Sequence, residues 1–263
     1  MSVSFEIITA IMLMMLMMTI LWAFHVYKGE ADIVDAGWAA GLGFLAIFYA
    51  ISLPGDDFRK FALALFAGTW SARLTTFLIR TRVMEPGEDG RYQSLRRKWG
   101  HKAKFNFFLF FQAQGLLVVI LAIPFFIAAS NLTPGFQIWD YVGAFVFVVS
   151  IAGESIADKQ LSDFRKDSNN KGKTCRQGLW KYSRHPNYFF EWLHWWSYVF
   201  LSINSPVFLL SLIGPCIMLF LILKVSGIPP TEKQALESRG DDYREYQKTT
   251  NAFFPWFPKE SHK

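Results

Sequence analysis

Apolar residues in this chain come in long unbroken blocks rather than at alternate positions or on one helical face. The first block, Ile7–Tyr27, reads IITAIMLMMLMMTILWAFHVY and contains no Asp, Glu, Lys or Arg. It exceeds the ~18 residues that mark a candidate bilayer-crossing helix. No basic run precedes it and no small-residue cleavage site follows, so it does not read as a removable leader. Six more blocks follow: Ile33–Leu53, Phe61–Ile79, Asn106–Ser130, Phe136–Ala157, Tyr188–Asn204 and Val207–Val225. The sixth span is short and rich in aromatics. Backbone facing lipid must satisfy its own hydrogen bonds, so these blocks are expected to be helices. The pattern predicts an all-α integral membrane bundle of seven transmembrane helices. No repeat, low-complexity tract or linker divides it, so residues 1–263 are expected to form one domain.

Charge adds a direction to this picture. Only 18% of residues are charged, against 52% apolar, and the chain holds 27 Phe and 10 Trp. Of its 27 Lys and Arg, 23 fall in three segments: Arg80–Lys104, Lys159–Arg184 and Lys224–Lys263. These alternate with cation-poor segments, as a seven-span chain requires. The positive-inside rule then puts the N-terminus outside and the C-terminus in the cytosol. In a bacterial cell the membrane would be the inner, plasma membrane. The formal net charge of +6 follows from these segments. They flank spans and match no nucleic-acid motif, which argues against a nucleic-acid partner.

Polar residues in or beside the spans mark candidate chemistry, because they are costly there. Asp32 and Asp35 share a face at the start of the second span. Arg73 lies in the third, Gln112 and Gln114 in the fourth. Glu154 and Asp158 end the fifth, and Glu191 and His194 lie three apart in the sixth. Glu-x-x-His is a di-iron spacing. The five histidines (His25, His101, His185, His194, His262) are too few for a His-rich box, and no second Glu-x-x-His occurs, so no metal is expected. Gly37, Gly41 and Gly43 lie in a membrane helix and suit close helix packing rather than a dinucleotide fingerprint. Cys175 and Cys216 are not expected to pair.

The three basic segments have internal structure. EPGEDGRYQSLRRKWG, from Glu85, places Asp89, Arg91 and Tyr92 at a turn before an amphipathic helix. A helix from Asp158 to Arg165 continues the fifth span, and NNKGK reads as a loop. After Pro229-Pro230 comes another amphipathic helix, then an aromatic-proline tail able to lie on the interface. YSRHPNYFFE, Tyr182 to Glu191, sets two cations, an amide and a carboxylate at the lip of an aromatic span. Guanidinium groups grip phosphates through paired hydrogen bonds, and an Asn–Glu pair can read a carboxamide. One reading is therefore a polar anionic cofactor at the lip and a greasy substrate within. The other is a basic anchor with a Pro-started helix. The phosphate candidates are Arg91, Arg165, Arg184 and Arg239, with Tyr92, Tyr182 and Tyr246 as hydrogen-bonding or stacking groups.

GLWKYSRHPNYFFEW, DDYREYQKTTNAFFPWFP, DAGW and EDGRYQSLRRKWG together resemble the steroid 5-alpha-reductase family, in its bacterial-type branch, over nearly the whole chain. RHPNY by itself is similar also to sterol reductases and to isoprenylcysteine or phospholipid methyltransferases. The resemblance implies seven helices, bound NADPH and hydride delivery to the beta carbon of a 4-ene-3-oxo steroid or a related lipid enone. The family's nicotinamide-side residues fall on Asn187 and Glu191, and its cofactor-binding Asp and Arg on Asp158 and Arg165. Its ketone-polarising glutamate falls near Asp35. Its partner tyrosine is Trp70 here, and a cationic residue of its tail falls near Thr250.

The resulting expectation is a catalytic pair, Asp35 and Glu191. The expected cofactor set is Asp89, Arg91, Tyr92, Asp158, Arg165, Tyr182, Arg184, His185, Asn187, Glu191, Arg239, Tyr246, Thr250 and Asn251. In this scheme Asp35 acts as a carboxylic acid, donating a hydrogen bond to the substrate ketone. Partners are membrane lipid and a hydrophobic small molecule, with the cofactor side facing the cytosol. The rival readings are an S-adenosylmethionine-dependent membrane methyltransferase and a non-enzymatic lipid-binding or transport protein. The three Arg-rich segments, and the Asn187–Glu191 spacing, favour the phosphorylated cofactor.

Overall fold

The structure, a computed structural model, describes residues 3–259; His262 lies outside them. Among the described residues it is helical throughout, with eleven α-helices and no strand. They are α1 (Val3–Lys28), α2 (Ile33–Ser52), α3 (Asp57–Leu78), α4 (Gly90–Trp99), α5 (Ala103–Leu121), α6 (Ile123–Ala129), α7 (Ile138–Lys166), α8 (Pro186–Ser202), α9 (Ile213–Phe220), α10 (Ile228–Arg239) and α11 (Asp241–Thr249). Six helical segments among the described residues are long and apolar enough to cross a membrane. The chain is thus a multi-pass helical membrane protein.

The six segments are one fewer than the seven blocks. The difference lies at the Tyr188–Asn204 block, where α8 has 17 residues. At 1.5 Å per residue it reaches about 26 Å, short of a ~30 Å hydrocarbon core. The Asn106–Ser130 block is divided into α5 and α6 around Ala122. Pro124, in the first turn of α6, lacks the N–H that a continuous helix would need. The seventh block is irregular. It runs through a 3₁₀ turn (Phe208–Leu212), then α9, then a π turn (Leu221–Val225). A second π turn, Ile79–Val83, ends α3.

The fold divides into two compact units. One comprises Met1–Gln137 and Leu201–Gly214, the other Ile138–Phe200 and Pro215–Lys263. The chain passes between them three times, which is why no single linker is legible in the sequence.

In the first unit, α1 buries Ala10, Met14 and Met18 and turns Ile8, Met12, Leu16 and Ile20 outward. That outward stripe, one residue per turn, is the lipid-facing side expected of a membrane helix. Helix α2 packs closely on α3 through small residues. A Cβ added at Gly43 would meet Ser71 Oγ at 2.3 Å, and Ser71 Oγ donates to the Ala39 carbonyl at 2.7 Å. Arg59, counted among the cations on sequence, is fully buried: its guanidinium donates to the carbonyls of Thr133 and Gly135. Asp56 caps α3 by accepting from the Phe58 N–H at 3.1 Å.

In the second unit, α7 continues past the apolar block to Lys166, as the Asp158–Arg165 pattern predicts. Trp180 reaches back to it, donating from Nε1 to the Ala157 carbonyl at 2.9 Å. Pro229 and Pro230 start α10, whose missing N–H groups cost nothing at a helix N-terminus. Gly240 then turns the chain into α11 with φ +55°, a conformation that favours glycine.

Candidate functional site

Each unit holds its own polar cluster. In the first, the turn before α4 is folded onto the start of α2. Asp89 caps α4, accepting from the Arg91 N–H at 2.9 Å and from Arg91 Nε at 3.0 Å. Burial works against the Asp89 carboxylate, but these bonds and the Arg91 and Arg82 charges hold its pKa below the ordinary value. The Asp89 N–H points at the buried Asp32 carboxylate, at 3.2 Å. Burial raises the Asp32 carboxyl, and the neighbouring Asp89 and Asp35 charges add to that. Glu88 holds Arg96 at 2.6 Å and accepts from the Ala31 N–H at 2.9 Å.

Asp35 is the centre of this cluster. Its Oδ2 accepts from Arg82 at 2.6 Å and Arg91 at 2.9 Å, and its Oδ1 accepts from the Tyr92 hydroxyl at 2.6 Å. Both oxygens therefore act as acceptors. Arg91, a phosphate candidate on sequence, and Tyr92, a hydrogen-bonding or stacking candidate, are both engaged with Asp35. Arg82 was missed on sequence as Asp35's partner. It projects from the π turn that ends α3; such turns are frequent at functional sites.

In the second unit, the YSRHPN loop is tied to the C-terminal helices. Arg184 Nε binds Glu232 at 2.7 Å, and Arg184 Nη1 donates to the carbonyls of Gln247 (3.2 Å) and Thr250 (2.5 Å). The Arg184 N–H donates to the Asn251 carbonyl at 2.9 Å. His185 Nε2 lies 3.2 Å from Glu232, Gln247 Nε2 donates to Glu232 at 2.8 Å, and the Tyr243 hydroxyl donates at 3.3 Å. Burial lowers the His185 pKa, opposed by Glu232. Tyr246 donates to the carbonyls of Trp180 and Ser183, and the Trp256 N–H donates to the Tyr182 carbonyl at 2.9 Å. Burial pushes the Tyr246 phenol well above its ordinary value. So Arg184, His185, Tyr246, Thr250, Asn251 and the Tyr182 backbone form a lock that fastens the tail. Glu232, its hub, carries no sequence signal of its own.

Beside the lock lies a different arrangement. Asn187 Nδ2 donates to Asp158 Oδ1 at 3.2 Å, and Glu191 is one turn further along α8. Seven residues beyond Asp158, on the same face of α7, Arg165 enters a cleft of about 240 Å³. Its lining includes Arg165, Lys171, Lys173, Arg239, Asn170 and Ser238. Four cations meet there with no carboxylate in the lining. Among the described residues Arg165 and Arg239 have no ion-pair partner, and each is within electrostatic reach of the other. Arg239 also stacks over Tyr243 at 5.4 Å. Cys175 lines the cleft as a buried thiol whose pKa burial raises. Such a cleft lacks the negative charge that a phosphate would supply, and its guanidinium and amide groups suit one. Lys171 and Lys173 were read on sequence only as part of a loop; their value comes from facing Arg165 and Arg239.

An all-helical, multi-pass membrane protein with a cation-lined cleft is the class these features define. A model of a family described as proteins of unknown function, DUF1295, matches residues 21–250, and the chain belongs to that family. A protein of the fission yeast Schizosaccharomyces pombe, described as uncharacterised, is 30% identical, over 94% of this chain and 79% of its own length. No solved structure matches the chain.

Proposed function

We propose that the protein is an NADPH-dependent membrane reductase of the steroid 5-alpha-reductase type, reducing the carbon–carbon double bond of a 3-oxo-4-ene steroid or a related lipid enone. The observation that carries this reading is the acid-free cleft of Arg165, Arg239, Lys171 and Lys173, continued along one face of α7 to the Asp158–Asn187 pair. Phosphates suit one end of that face and a carboxamide the other, about 10 Å apart by helix rise. The motif resemblance, YSRHPNYFFE above all, supports the same class.

When bound, NADPH supplies a hydride for the beta carbon of the enone. Arg165 and Arg239 are the groups that would grip its phosphates, with Lys171 and Lys173 adding charge. The Asn187 amide, which donates to Asp158, would be the group to read a carboxamide, with Glu191 one turn away. The cytosolic side would carry this end, given the distribution of Lys and Arg. The Arg184–Glu232 lock positions these elements rather than touching the cofactor.

Thermal melting of the detergent-purified protein with NADPH, NADH and S-adenosylmethionine tests the reading. A ligand at 100 times its dissociation constant adds about 2.7 kcal/mol. NADPH is expected to stabilise and S-adenosylmethionine not to. A shift with S-adenosylmethionine and none with NADPH overturns the reductase in favour of a methyltransferase.

A further inference from the structure

We propose that the Trp38 indole N–H is the hydrogen-bond donor for the carbonyl oxygen of an apolar substrate held against α2. The assignment of that ligand as an enone rests on the reductase reading above; the donor itself rests on the geometry of the first unit.

Trp38 Nε1 is buried and has no hydrogen-bond acceptor among the described residues. Buried donors are seldom left without a partner, and one that is calls for an explanation. The indole packs against an apolar group, Ala36, Ala39 and Leu78 with Leu74 and Ile79, which offers no side-chain acceptor. The ring of Trp70 meets it edge-on, with centroids 6.3 Å apart, and an aromatic face is at most a weak acceptor. The rest of the Trp38 side chain is only half-buried, so the residue is not sealed into the core.

Its position is informative. Trp38 follows Asp35 by three residues and so lies one turn further along the same face of α2. Asp35 accepts from Arg82, Arg91 and Tyr92 across both of its oxygens, and the Tyr92 hydroxyl is committed to it. The next donor along that face is the Trp38 N–H. A second orphan lies on α3. Thr69 and Thr81 bond back to the carbonyls of Leu65 and Phe77, at 2.6 and 2.8 Å. Thr75, between them, has a buried hydroxyl with no partner among the described residues.

An indole N–H donates one hydrogen bond and keeps its proton. It suits the carbonyl oxygen of an apolar ligand, which accepts one hydrogen bond without any proton transfer.

The test uses the full chain in detergent and two probes, a 4-ene-3-oxo steroid and its 3-deoxy analogue with CH₂ in place of the carbonyl. Wild type is expected to bind the ketone at least about tenfold more tightly, as one hydrogen bond to a buried donor gives. Trp38→Phe is expected to lose that preference. The NADPH melting shift should be unchanged. Should Trp38→Phe not fold, β-(3-benzothienyl)alanine at position 38 keeps the ring shape and removes only the N–H. A preference for the ketone that survives either replacement overturns the proposal, and so does a wild type that binds both probes equally. A Trp38-dependent preference without any NADPH shift leaves the donor standing and removes the reductase reading alone.

Discussion

Asp35 in the first unit and Arg165 in the second each centre a polar cluster, and the two clusters balance charge in opposite ways. Asp35 has partners within 3 Å on both oxygens: Arg82 and Arg91 on one, the Tyr92 hydroxyl on the other. Around Arg165 the cations accumulate without an acid. A cluster that neutralises itself needs no ligand and holds α4 to α2. A cluster that does not, with Arg165, Lys171 and Lys173 exposed, is open to an anion from solution. The difference teaches that richness in Arg is a poor guide to binding; the missing carboxylate is the better one.

The comparison breaks most readily at Arg165 and Arg239. Replacing both with Ala is expected to weaken NADPH binding by 10²-fold or more, since a hydrogen bond to a charged group contributes about 1.5–3 kcal/mol. The melting temperature without ligand should stay level or rise, because two like charges are removed. Isothermal titration and a melting curve on the same sample read both. A double variant that binds NADPH at wild-type strength would make the cleft a solvated cationic surface.

Asp35→Asn should do the reverse. It removes the carboxylate shared by Arg82 and Arg91, leaving Asp89 as their remaining acid, and is expected to cost about 1–2 kcal/mol of stability, reduced from the buried-pair value because both guanidiniums are over a third exposed. NADPH affinity should change less than threefold. A loss of affinity as large as that of the Arg165/Arg239 variant would erase the distinction between the clusters.

The smallest effect concerns His185. Its pKa is lowered in the fold, chiefly by burial. The unfolded chain therefore binds the proton more readily, and stability falls as pH drops below about 6.5 towards the folded value. Above that it is flat with respect to this group. His185→Gln should remove this part of the acid slope in a melting-temperature series from pH 7.5 to 5, with the Glu232–Arg184 pair intact. An unchanged slope would place the acid sensitivity elsewhere.

How much was legible in advance varies residue by residue. Arg165 and Arg239 read as phosphate candidates because each stands in a basic segment beside a membrane span. Arg184 looked equally good, standing in YSRHPN, yet its guanidinium meets Glu232 and the Thr250 carbonyl. Nothing in the spacing separates them, because the partner comes from 48 residues away. The Asn106–Ser130 block shows the same limit for the fold. Its length in apolar residues was plain, whereas the break at Ala122 depended on Pro124 within it.

By itself the sequence determined the helical, membrane-spanning character of the protein, since lipid leaves a long apolar backbone no other way to satisfy its hydrogen bonds. It indicated, too, that the fifth span continues as a helix through Asp158–Arg165, which α7 does. Only the tertiary structure decided which charges are free. That Asp35 is saturated, that Arg184 is locked to Glu232, and that Arg165, Arg239, Lys171 and Lys173 converge without an acid all depend on pairings across distant segments. Coulomb interactions fall off with distance in space and take no account of separation along the chain.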